Sequence, residues 1–106
     1  MGKTIESISF DVVADVLAAS ERRKLLVALT EHNPQNELAV ADDATGDAHE
    51  RLVMMRHVHL PKLAEHDLVD WDERSHEVTR GPAFDEIEPV LTLLTDNEGE
   101  LPADWP

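Results

Sequence analysis

The chain has 106 residues, enough for one domain with its own hydrophobic core. It has no cysteine, which excludes disulfide frameworks and thiolate metal sites, and no apolar run near the roughly 18 residues that a membrane helix needs. Against 9 Lys and Arg stand 23 Asp and Glu, a formal net charge of −14 that argues against a generally cationic, nucleic-acid-binding surface.

Residues 1–8 read as an N-terminal arm without a cleavage pattern, which fits a cytoplasmic protein. Ser9 predicts an N-cap, with Ile8 and Val13 as a hydrophobic staple and Asp11 near the positive helix end. Phe10, Val13 and Leu17 then recur at helical spacing over about ten residues. Ser20 is expected to cap a second helix from Glu21 to about His32, with Leu25, Leu26 and Leu29 on its core face. Asn33-Pro34 ends it. A short helix is expected over Glu37 to Asp43, and a turn at Thr45-Gly46-Asp47.

A longer helix is predicted from about Ala48 to His66. On a straight wheel Leu52, Met55, His59 and Leu63 share one face with Leu60 beside them, while Arg51, Met54, Val58 and Lys62 share the opposite face. Pro61 cannot donate to the His57 carbonyl, so a kink or loosening is expected there. Val69–Asp72 and His76–Thr79 alternate as two short strands joined by Glu73-Arg74-Ser75. A last helix is expected over Asp85 to Asp96, with Asp85 and Glu88 spaced as a capping box and Phe84, Ile87, Leu91 and Leu94 as its apolar stripe. Residues 9–96 thus form the domain, and 97–106 read as a flexible acidic tail apart from Trp105.

Charge is not spread evenly. Residues 51–80 hold five of the nine basic residues, six acids and four of the six histidines, so this segment has escaped the acidic bias. Two readings fit the acidity elsewhere. At molar salt the Debye length is about 3 Å, so a carboxylate-rich, lysine-poor surface is screened and stays hydrated. Alternatively, the chain is an acidic partner for a basic protein. Composition alone does not separate them.

At Arg56-His57-Val58-His59-Leu60-Pro61-Lys62-Leu63, followed by Ala64-Glu65-His66-Asp67-Leu68-Val69-Asp70-Trp71, the sequence resembles the end of the recognition helix and the first wing strand of ArsR-like transcriptional regulators. The His-Leu-Pro-Lys-Leu form is similar to that of a family of small winged-helix proteins from halophilic archaea, and Ser20-Glu21-Arg22-Arg23 matches the start of the same family's second helix. Two places depart from the pattern: Asp67 stands where the family has glycine, and Glu37–Thr45 matches poorly. The resemblance implies a mainly α fold with a small β-hairpin, a winged helix–turn–helix with an additional C-terminal helix. It also implies a DNA-binding regulator that dimerises through its terminal helices.

On that reading double-stranded DNA meets Arg51, Met54, Arg56, His57, Val58 and Lys62 on the long helix and Arg74 and His76 in the wing, because phosphate contacts need cations and thymine methyls accept apolar side chains. The alternative is a protein partner packed on Met54 and Val58, and a blander one is that a kink at Pro61 turns both into the core. Phe10, Phe84, Ile87, Leu91 and Leu94 are the residues of a homodimer face, or else a stripe folded onto its own domain. His57 and His59 are two apart, on nearly opposite helix faces, so no metal site and no cofactor is expected, and His59 reads as a core histidine with one hydrogen bond. Nothing resembles a catalytic constellation or a phosphate-cradling loop, so no enzyme activity is expected.

Overall fold

Ser9 opens the first helix as its position predicts. In the computed structural model, which describes residues 8–36 and 48–106, α1 spans Phe10–Val16 and the Ser9 hydroxyl accepts the Val12 N–H at 3.2 Å. The second helix, α2, spans Ser20–Glu31, one residue earlier than expected: Ala19 occupies the cap position and no side chain caps it. Leu25, Leu26 and Leu29 are fully buried. Beyond Asn33-Pro34 the chain is extended, and Gln35–Asn36 form a two-residue strand, β1. The short helix and turn expected over 37–47, and most of the N-terminal arm, lie outside the described residues.

The long helical segment, 48–65, is not one regular helix. It runs as α3 (Ala48–Met54), a π-helical turn (Met55–His59) and α4 (Leu60–Glu65). Pro61 supplies the cause: it has no N–H for the His57 carbonyl, and the turn before it widens so that Leu60 N–H reaches back to Met55 O. The loosening keeps Met55, His59, Leu60 and Leu63 on the buried side.

The segment ends in a Schellman arrangement. Leu68 N–H bonds to Leu63 O and Asp67 N–H to Ala64 O, both at 3.0 Å, with Asp67 at φ 61°. Asp67 therefore occupies a backbone conformation that favours glycine. Val69–Asp72 (β2) and Glu77–Arg80 (β3) pair antiparallel with Trp71 opposite Val78, and β1 pairs with the far side of β3. The sheet order is β1-β3-β2. The third strand was not expected, because two residues are too few to alternate.

After β3, Gly81 lets the chain pass close to the Asp67 turn: a Cβ on it would lie 2.5 Å from Asp67 O. The last helix, α5, spans Phe84–Asp96. It begins before Asp85, with Ala83 as cap and no side-chain hydrogen bond there, so the expected capping box does not form. The core joins Val16 of α1, the α2 leucines, Met55, Leu60 and Leu63 of the long segment, Leu68 of the turn after it, Val69 and Val78 of the sheet, and Phe84, Ile87 and Leu91 of α5. Residues 98–100 form a 3₁₀ turn, and Trp105 returns to pack against this core. No helix among the described residues is long and apolar enough to cross a membrane.

Candidate functional site

The long segment turns two chemically different sides outward and inward. Met55, His59, Leu60 and Leu63 are buried, whereas Val53, Met54 and Val58 are 40%, 44% and 40% exposed and His57 is exposed beside them. The kink does not carry Met54 and Val58 into the core. Val53, one position from the expected stripe, joins the outward side. Residues 51–64 contain no Asp or Glu in a chain with 23 of them, so the outward side is apolar and cationic without a carboxylate of its own.

The cations expected there have different roles. Arg51 is half-buried at the start of this side. Arg56 turns toward the hairpin: one Nη2 donates to Glu73 O at 3.3 Å and meets His76 Nδ1 at 3.1 Å, and the guanidinium lies 5.8 Å from the Trp71 ring centre. This is a tie between helix and hairpin that spacing alone does not reveal, since it joins residues 20 apart. His76 is held at φ 63° in this contact. Arg74 is exposed in the connection, and its N–H donates to the Asp72 carboxylate at 3.0 Å.

Lys62 corrects the wheel. It bends onto α1, where its ammonium lies 2.7 Å from Asp15 Oδ2. That hydrogen bond, ahead of the attraction of the same charge, holds the Asp15 carboxyl below its ordinary pKa.

Three arginines outside the expected set cap helices. Arg22 Nε donates to Val16 O at 2.8 Å and its Nη2 to Asp15 O at 2.9 Å, while Arg23 donates to Leu17 O at 2.7 Å. These carbonyls lie at the C-terminal end of α1, where the helix runs out of N–H donors, and Asp15 O also accepts the Ala18 N–H at 3.2 Å. Arg80 does the same for α2, donating to Leu29 O and Thr30 O at 2.8 and 3.2 Å. For Arg22 and Arg23 the sequence signal was their pairing shortly after the predicted end of α1; Arg80 has none. His59 is buried, as its position in the stripe implies, and accepts at Nδ1 from Arg22.

The expected dimer stripe divides. Phe84, Ile87 and Leu91 are at most 1% exposed, taken up by the core of their own domain, so they offer no face to a second chain. Leu94 lines a groove with Leu17 and Trp105. Phe10 and Leu93 are 76% and 64% exposed instead. Among the described residues no three His, Asp or Glu side chains gather to hold a metal ion. No family model, curated protein or solved structure matches the chain.

Proposed function

We propose that the chain is a winged helix–turn–helix transcriptional regulator that binds double-stranded DNA at high salt. The order of helices and strands supports this reading, as does the β1-β3-β2 sheet, in which a short strand after the second helix joins the hairpin. The single observation that carries it is the carboxylate-free side of residues 51–64, exposed in a chain that is otherwise strongly acidic. Carboxylates on a helix side laid against DNA are repelled by its phosphates, so their absence over this stretch favours such a contact. Arg51, Met54, His57 and Val58 form the reading set, with Arg74 at the flank. Arg56 is a positioning residue that fixes the hairpin against the helix. With few cations in the reading set and a cytoplasm of concentrated salt, counterion release contributes little, and apolar contact with thymine methyls and shape contribute more.

A second copy would pair through Phe10 and Leu93, which lie on neighbouring elements: Glu86 of α5 accepts the Ile8 N–H at the start of α1. Two reading helices about one DNA turn apart would follow.

One observation favours a protein partner instead. The outward side of the hairpin carries Asp70, Asp72 and Glu77, all exposed, where a DNA-binding wing needs cations. The test is capture and sequencing of genomic fragments by the purified chain in molar KCl, with an Arg51→Glu/Val58→Asp control. The DNA reading expects a reproducible set of loci that this control loses. Retention of every locus by the control overturns the site, and capture of no DNA by the unmodified chain favours the protein partner.

A further inference from the structure

We infer that a groove beside the end of α1 binds a free apolar α-amino acid. The groove, of about 260 Å³, is walled by Leu17 at the end of α1, Leu94 of α5, Leu101, Pro102 and the ring of Trp105. Arg23 and Asp104 supply its charged groups. At about 30 Å³ per water molecule, the space holds about nine waters, the size of leucine or phenylalanine rather than of a nucleotide.

The polar groups select the ligand class. Arg23 Nη2 and Asp104 Oδ2 are 3.8 Å apart, a loose pair whose carboxylate is mostly exposed. The other terminal nitrogen of Arg23 is held by Leu17 O, which fixes the guanidinium at the groove. One cation and one anion side by side above apolar walls match a zwitterion: the ligand carboxylate on Arg23, its ammonium on Asp104, its side chain among the leucines. A simple carboxylate ligand would meet Asp104 and the −14 charge of the chain, and a simple amine would meet Arg23. The zwitterion carries no net charge and is repelled by neither.

Trp105 adds a second sign. Its indole Nε1 is buried without a hydrogen-bond partner among the described residues. Such a donor is rare in folded proteins, and this one belongs to a residue that lines the groove. The groove draws its walls from the junction of α1, α2, α5 and the C-terminal residues, and none of the proposed DNA-reading residues lines it, so this inference stands whether or not that reading holds.

Fluorescence of a Trp71→Phe variant, in which Trp105 is the one tryptophan left, reports the groove directly. Isothermal calorimetry on the unmodified chain checks the same titration. Millimolar L-leucine or L-phenylalanine is expected to give a saturable spectral shift and matching heat. N-acetyl-leucine, which lacks the ammonium, and leucinamide, which lacks the carboxylate, are expected to bind about ten- to a hundredfold more weakly. Asp104→Asn, at an exposed position that the fold does not need, is expected to lose a similar factor, and Arg23→Gln the same. Absence of saturable binding by either amino acid overturns the inference. So does binding of either analogue as tight as leucine, or an unchanged affinity in Asp104→Asn.

Discussion

Arg22 Nη1 lies 2.9 Å from His59 Nδ1, with both residues buried, at 7% and 5% exposure. Because a guanidinium can only donate, Nδ1 accepts and the ring proton sits on Nε2, 3.7 Å from Glu21 Oε1. Burial, then the Arg22 charge, hold the His59 pKa below its ordinary 6.5, with Glu21 opposing. The unfolded chain therefore takes up this proton before the folded one. The stability that neutral His59 confers is whole above the unfolded value and is lost as pH falls from it toward the folded pKa. Denaturant midpoints measured at constant molar salt should fall between about pH 7.5 and 5.5. In His59→Gln, whose amide oxygen keeps an acceptor for Arg22, the decline should flatten over the same range; parallel profiles in the two proteins would contradict the pairing.

Asp67 is held at φ 61° by the two backbone bonds that end α4, a conformation that costs a residue with a Cβ about 1 kcal/mol. Asp67→Gly should therefore stabilise the domain by about 0.5–1 kcal/mol, seen as a higher urea midpoint with an unchanged slope. Asp67→Val should do the reverse and by more, because a β-branched residue tolerates this region least. A glycine variant less stable than the parent would mean that the carboxylate itself is needed at this turn.

Gly81 makes the complementary case. Its missing side chain is what allows the backbone after β3 to lie against Asp67 O and Val69 N, at 2.5 and 2.8 Å from where a Cβ would stand. Neither atom belongs to a flexible side chain. Gly81→Ala should cost about 1–3 kcal/mol through displacement of the β3–α5 connection, measurable as a lower thermal midpoint.

Asp67 also shows what was legible in the sequence. The turn after His-Leu-Pro-Lys-Leu was readable because the pattern around Asp67 is local: helix end, αL residue, strand. Ser9, the leucines of α2, the hairpin and the role of His59 follow from periodicity and capping chemistry in the same way. The roles of Arg56, Lys62 and Arg80 were not readable, because their partners lie 15 or more residues away in sequence and a helical wheel has no knowledge of the neighbouring element. A long cation drawn as pointing to solvent bends to the nearest carboxylate or unpaired carbonyl. The α5 stripe was legible as a stripe only; whether it covers its own domain or a second chain depends on packing.

Arg56 should matter to the hairpin more than to the core. Its bonds to Glu73 O and His76 and its place over Trp71 connect the π-helical turn to the far end of β2 and β3. Arg56→Ala should lower global stability by only about 1 kcal/mol, since the contacts are partly exposed. Amide hydrogen exchange should change selectively, with faster exchange at Trp71 and Val78 and little change at Leu26 and Leu29. Arg56→Lys should not restore protection, because one ammonium cannot reproduce a planar group that meets a carbonyl, an imidazole and a ring together.

Arg51 and Lys62 share one face on a straight wheel, yet the structure separates them, and that separation is testable. Lys62 is turned onto Asp15, 2.7 Å away, and holds that carboxyl below its ordinary pKa. Lys62→Gln should therefore raise the Asp15 pKa, visible by NMR titration of the side-chain carboxyl, and weaken the domain only above the range where Asp15 loses its proton. It should leave the set of captured DNA loci unchanged. Arg51→Glu should leave the Asp15 titration alone and remove the loci, since it places a carboxylate on an exposed helix side that has none. Equal loss of DNA in the two variants would return Lys62 to the reading face, and loss in neither would point to the hairpin acids and a protein partner.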